Sequence, residues 1–262
     1  MRQFQQGLDV IGNNIANVNT TGFKGARVTF EDALSQTVGS TAEAPMQVGT
    51  GVNTSAITNL FRQGVISQTG NTTDLAISGD GFFVVRDAVS DQSYATRDGA
   101  FQLDSQGYLV TSRGLRVQGF ADAALSSRGD VRIDNTGAPG GSTAAVKSFT
   151  VDTQGRVIVQ LEDGTTFTRG QVLLQRFVSP QALTKEGNNL YSGLASAGPL
   201  AQTEAPGTNG LGAVLSGALE MSNVDLAAEF SSMITTQRAF QASARLITTS
   251  DEILMELINL KR

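Results

Sequence analysis

Apolar residues recur at helical spacing at both ends of the chain. Met1, Phe4, Leu8, Ile11, Ile15 and Val18 fall three or four apart, which is one stripe of a helix. Gly7 and Gly12 weaken it by about 1 kcal/mol each against Ala. The stripe stops at the turn-forming cluster Asn19-Thr20-Thr21-Gly22. At the other end Leu226, Met233, Phe240, Ile247 and Leu254 recur every seven residues, and Phe230, Gln237, Ala244, Asp251 and Ile258 lie between them. Ser222 or Asn223 can cap this second helix, Asp225 suits the positive end of its dipole, and Lys261 and Arg262 suit the other end. An unbroken helix over 223–260 would be about 57 Å long at 1.5 Å per residue.

Between the ends the spacing changes to that of strands. Short alternating or apolar runs lie at 75–77, 82–85, 101–103, 109–110, 115–120, 149–151, 157–161 and 172–177. Turn pairs such as Asp98-Gly99, Arg113-Gly114 and Asp163-Gly164 separate them. One hairpin is written twice: Phe101, Leu103, Asp104, Gly107 and Leu109 stand in the order and spacing of Phe149, Val151, Asp152, Gly155 and Val157. In each copy the Asp opens a turn and the Gly closes it. The stretches 36–48 and 193–212 have little periodicity and read as linkers.

The predicted fold is α+β, a mostly β central region flanked by N- and C-terminal helices that pair as a coiled coil. Its segments are an N-terminal helix (1–22), an extended connector (23–72), a β-rich domain (73–192), a second connector (193–222) and a C-terminal helix (223–262). Each terminal stripe must be covered. Pairing the helices with each other and with neighbouring copies achieves this. The predicted self-assembly residues are Phe4, Leu8, Ile11, Asn14, Ile15, Asn17 and Val18 in the first helix. In the second they are Leu226, Phe230, Met233, Gln237, Phe240, Ala244, Ile247, Leu254 and Ile258.

Composition narrows the function. The 262 residues carry a net charge of -5 and only 16% charged side chains, so nothing marks a nucleic-acid binder. A weakly charged polar surface suits a protein that stacks on its own copies. His, Cys and Trp are absent. That removes the usual neutral-pH acid/base, the thiolate and the commonest metal ligands. No apolar run is long enough to span a membrane, and residues 1–7 lack the features of a cleaved signal.

Candidate chemistry adds little. Asp122, Asp130 and Asp134 read as turn and surface acids, and Asp251 as part of an exposed helix end. Gly79-Asp80-Gly81 precedes the strand-like run Phe82-Phe83-Val84-Val85, so the helix N-terminus of a dinucleotide site is missing. No catalytic, cofactor-binding or metal residue is assigned, and no enzyme is expected. Asn13, Asn14, Asn17 and Asn19 admit two readings: a solvated face ending in a cap, or amides bonded to a neighbouring helix that fix its register.

Residues 8–24, LDVIGNNIANVNTTGFK, resemble the N-terminal signature of flagellar rod and hook proteins. Residues 222–226, SNVDL, with 237–242, QRAFQA, resemble that family's C-terminal signature; 73–83 and 96–101 are family-like as well. The family pattern begins upstream of Met1, which implies a late start or a shortened first helix. The resemblance implies a tube whose terminal helices line an inner coiled-coil core while the β-domains form its outer wall. It implies partners: copies of the chain in a helical polymer, neighbouring rod, hook and junction proteins, the type III flagellar export apparatus, and a cap or scaffold protein. It implies no nucleic acid, no membrane insertion and no cofactor. The expected location is the bacterial flagellum, hook or basal body, outside the cytoplasm, reached without a cleaved signal. Residues 247–262 and 114–120 look like hook proteins, so the expected function is a hook subunit that passes torque from rod to filament. The alternative is a distal-rod subunit, which the chain length favours; a secreted β-rich adhesin ranks below both.

Overall fold

The computed structural model describes residues 2–40, 45–199 and 202–260. Met1, Lys261 and Arg262, placed above at the chain ends, lie outside the described residues. The chain divides into two compact units, one of residues 1–18, 24–60 and 224–262, the other of 19–23 and 61–223.

The first unit opens with α1 (Arg2–Ala16) and continues with β1 (Ala26–Asp32), β2 (Ser35–Ser40), β3 (Pro45–Gly49) and β4 (Val52–Asn59). These strands form two nested antiparallel ribbons. The inner one pairs β2 with β3. The outer one runs from Ala26 opposite Asn59 to Asp32 opposite Val52, with a bulge between Thr29 and Phe30. The stretch 36–48, read above as a linker, therefore carries paired strand. The outer ribbon beside it buries little: Phe30, Val52 and Ile57 are all exposed.

The unit closes with α2 (Leu226–Leu260), 35 residues long and so about 52 Å. Its cap is Asp225, not Ser222 or Asn223: Asp225 Oδ1 accepts the N–H groups of Ala227 and Ala228 at 2.9 and 3.3 Å. A carboxylate there both satisfies free donors and complements the dipole.

The second unit is built on strands. In order they are β5 (Ile66–Gln68), β6 (Leu75–Ser78), β7 (Phe82–Arg86), β8 (Ser93–Thr96), β9 (Gln102–Leu103), β10 (Leu109–Val110), β11 (Arg116–Phe120) and β12 (Arg128–Asp130). There follow β13 (Val146–Val151), β14 (Arg156–Leu161), β15 (Thr166–Val172), β16 (Leu174–Gln175), β17 (Thr184–Gly187), β18 (Leu190–Ser192), β19 (Ala213–Ser216) and β20 (Ala218–Glu220). Twelve belong to one sheet with the path β13-β14-β15-β11-β7-β8-β18-β17, and two ribbons, β19 on β6 and β20 on β5, complete the unit.

The apolar run in β7 shows why it sits centrally. Phe83 and Val85 point into the larger core with Leu75, Phe101, Val117 and Leu174. Phe82 points the other way, into a smaller core with Phe177 and Tyr191. A strand buried on both faces reads as continuous rather than alternating. The repeated hairpin is also present. Leu103 faces Leu109 as Val151 faces Val157. Asp104 Oδ1 accepts N–H from Gln106 and Tyr108, and Asp152 Oδ1 accepts N–H from Gln154 and Arg156, all at 2.8–2.9 Å. Gly107 and Gly155 supply φ of 83° and 77°, values that favour glycine. Residues 193–212, read as a linker, lie back on the sheet: Leu174 bridges Glu204, Phe177 bridges Pro199, and Ala197 is buried.

Candidate assembly surfaces

The predicted assembly residues all lie on α1, on α2 or in the turn after α1. Asn14 is the buried one among them, and Phe4, Leu8, Ile11, Ile15, Asn17 and Val18 are half-buried. Asn14 Nδ2 donates to the Ala26 carbonyl at 2.8 Å and to Glu229 Oε1 at 3.0 Å, and its Oδ1 accepts the Ala26 N–H at 3.0 Å. One side chain thus joins α1 to β1 and to α2. Asn17 Nδ2 donates to the Asn13 carbonyl and Oδ1 one turn away. Of the two readings of the Asn cluster, Asn14 follows the bonded one and Asn13 and Asn17 the capping one.

Gly7 has a use here. A Cβ on it would stand 3.6 Å from both the Phe30 ring and the Thr236 methyl, so α1 brings its smallest residue where β1 and α2 both approach. Phe4 packs on the Phe30 ring at 6.3 Å, against the ribbon. Beside these contacts lies a cleft of about 280 Å³ lined by Val10, Ile11, Val28, Phe30, Leu60 and Thr236.

Along α2, Glu229, Met233, Thr236, Ala239, Phe240, Ser243 and Ala244 are half-buried, and every described position from Arg245 to Leu260 is exposed. The helix lengths give the reason. The 15 residues of α1 reach about 22 Å, less than half of α2. Of the predicted residues, Met233, Phe240 and Ala244 are therefore partly covered, while Leu226, Phe230, Gln237, Ile247, Leu254 and Ile258 are exposed. The far half exposes Leu246, Ile253, Met255, Leu257 and Leu260 as well. The seven-residue repeat did not flag these positions because they lie off its stripe.

The ribbons add exposed apolar positions that sequence reasoning missed, Phe30, Leu34, Val48, Val52 and Ile57. The polar–apolar alternation Arg27-Val28-Thr29-Phe30-Glu31 was the available signal.

The acids set aside above have structural partners. Asp130 takes Arg86, Arg116 and Gln118, and Asp134 takes Arg132, Arg169 and Thr136. Burial alone would raise both carboxyls; hydrogen bonds and the arginine charges more than offset it and hold both below the usual range. Asp122 accepts N–H from Ser126 and Ser127 in an exposed turn.

Known proteins match this layout. A model of the flagella basal body rod protein covers residues 1–24, one of the flagellar hook protein FlgE/F/G D1 domain covers 76–159, and one of the flagellar basal body rod FlgEFG protein C-terminal region covers 215–260. The flagellar basal-body rod protein FlgG of Bacillus subtilis is 43% identical over 100% of this chain and 96% of its own length. The chain belongs to the flagellar rod and hook protein family. The FlgG of Borreliella burgdorferi is 37% identical over 98% of the chain and 94% of its own length. The hook protein FlgE of the same organism is 26% identical, in an alignment stretched to 433 positions. The family is one of flagellar structural proteins, and its place is the flagellum. No described helix is long and apolar enough to cross a membrane.

Proposed function

We propose that the chain is a distal-rod subunit of the flagellar basal body, polymerising through its terminal helices and its exposed ribbons. This replaces the hook reading taken above from residues 114–120 and 247–262. Two full-length rod relatives at 43% and 37% identity support the rod, against 26% for the hook protein.

The observation that carries the polymerising role is the far half of α2. Leu246, Ile253, Leu257 and Leu260 are 57–83% exposed and, with Ile247, Leu254 and Ile258, fall in an arc of about 160° at 100° per residue. An apolar stripe that wide calls for a covering surface, and neighbouring copies provide it. Each such side chain would contribute on the order of 1 kcal/mol on being covered. Contacts that do not close into a ring build a helical filament. The ribbons point the same way, since a lone two-stranded hairpin is marginal in water. The export apparatus and a cap or scaffold protein are the partners expected during assembly.

Basal bodies from a strain lacking the gene test the assignment. A truncated rod is the expected image; a complete rod lacking only the hook would overturn it. For polymerisation, Leu254→Glu in the purified chain should leave the β unit's thermal transition in place and abolish sedimentable polymer. Polymer at the unsubstituted level would refute the role of α2.

A further inference from the structure

Three segments of the β unit run directly into residues of the other unit: 19–23, 61–66 and 220–223. All three meet at Glu220, which is 1% exposed. Its carbonyl accepts the Gly22 N–H at 2.7 Å. Its Oε1 accepts the Gly64 N–H at 2.8 Å. Its Oε2 faces Arg97 Nη1 at 3.3 Å. Arg97, itself 4% exposed, donates from Nη2 to the Gly79 carbonyl at 3.0 Å and lies 5.1 Å from the centre of the Phe82 ring. The Met221 N–H bonds to the Val65 carbonyl, and Asn223 Nδ2 to the Arg62 carbonyl. The first segment is held elsewhere too: Asn189 Nδ2 donates to the Thr21 carbonyl, and Thr21 Oγ1 to Asp98. Gly22, at φ 66°, has no room for a side chain, since a Cβ would lie 2.5 Å from the Asp98 nitrogen.

Gly22, Gly79, Arg97 and Asn223 lie in the signature segments noted in the sequence, whereas Glu220 and Gly64 do not, and none of the six is among the predicted polymerising residues. We propose that Glu220, held by Arg97, is a positioning residue for assembly: it clasps the three segments so that the chain leaves the β unit from one fixed patch. The chemistry suits a clasp. A buried carboxylate must be paired. Meeting that need with Arg97 fixes the carboxylate while its other oxygen and its carbonyl hold the two neighbouring segments. Burial pushes the Arg97 guanidinium below its ordinary value, and the Glu220 charge pulls it back, as a desolvated pair requires.

The proposal rests on the polymerising role above, and its test separates the two. In the double variant Arg97→Met with Glu220→Gln no buried charge is left unpaired, and the Gln keeps the size of the side chain but loses the partner that fixes it over Gly64. The expected result is a β unit that melts as the parent does. Amide exchange protection should fall about tenfold or more at Gly22 and Gly64 together, with core amides such as Val84 unchanged and polymerisation slowed. Retained protection at either glycine overturns the clasp. Lost protection with the parent's polymerisation rate reduces it to a fold-stabilising contact and overturns the positioning role. If the double variant does not fold, Asn223→Ala decides: the clasp predicts a fall in protection at Gly22 as well as at Gly64, and a change confined to 61–64 overturns it. A parent chain that never polymerises refutes the assembly role itself, while exchange still reports on the clasp.

Discussion

Replacing Asn14 with Ala removes three hydrogen bonds at once, two to Ala26 and one to Glu229. The Ala26 N–H and carbonyl both lose a partner in a half-buried position. Each such loss costs about 1 kcal/mol, and the bond to the Glu229 carboxylate adds about as much. The total is about 2–3 kcal/mol, set against the docking of a helix of only 15 residues, a length that is marginal alone in water. Undocking should then take α1 with it. Circular dichroism of Asn14→Ala should lose close to the signal of fifteen helical residues while the 35 of α2 remain. Exchange should speed up across 2–16 and at Ala26. The control is Asn17→Ala, whose amide donates to Asn13 one turn away and which should cost less than Asn14→Ala. Equal effects of the two substitutions, or full retention of helix in Asn14→Ala, would refute the assignment of Asn14 as the tie between α1, β1 and α2.

Two further outcomes follow from the β unit. Tyr191 Oη is buried with no hydrogen-bond partner among the described residues, and burial raises its hydroxyl above the ordinary value; Tyr191→Phe should therefore stabilise the unit by about 1 kcal/mol, and a fall in melting temperature would contradict this. Asp130 is held below its ordinary value despite burial, so it contributes stability above the unfolded carboxyl value of about 3.9, lost as pH falls through the lower folded value. In Asp130→Asn the pH dependence of the melting temperature below about pH 4 should flatten, and an unchanged acid limb would count against the arginine pairing.

Much of the β unit was legible because its strands are buried in ways that leave a period. Phe82-Phe83-Val84-Val85 reads as a strand covered on both faces, and the doubled Asp-to-Gly hairpin declares its turns. The edge strand β17, Thr184-Lys185-Glu186-Gly187, contains no apolar residue, so no period could reveal it. The outer ribbon of the first unit escaped for the opposite reason, since Phe30, Val52 and Ile57 stay exposed. Asn14, Asn13 and Asn17 are chemically identical in the sequence; only the arrival of Ala26 and Glu229 beside Asn14 separates them. Arg97 and Glu220 lie 123 positions apart, and no local spacing can announce such a pair.

The same reasoning explains why the signatures identify the family and do not separate its members. Residues 114–120 contain β11, which pairs with β7, β12 and β15 and buries Leu115 and Val117. A strand with that many neighbours has its sequence set by the sheet. Residues 247–260 continue α2 into its uncovered apolar half, which any subunit that polymerises through this helix needs. Neither stretch therefore carries information about position along the axis. Aligning this chain with a hook protein spreads its 262 residues over 433 positions, whereas the rod protein of the same organism aligns over 269. The hook comparison thus opens long gaps against this chain and the rod comparison few, a difference that the motif residues do not register.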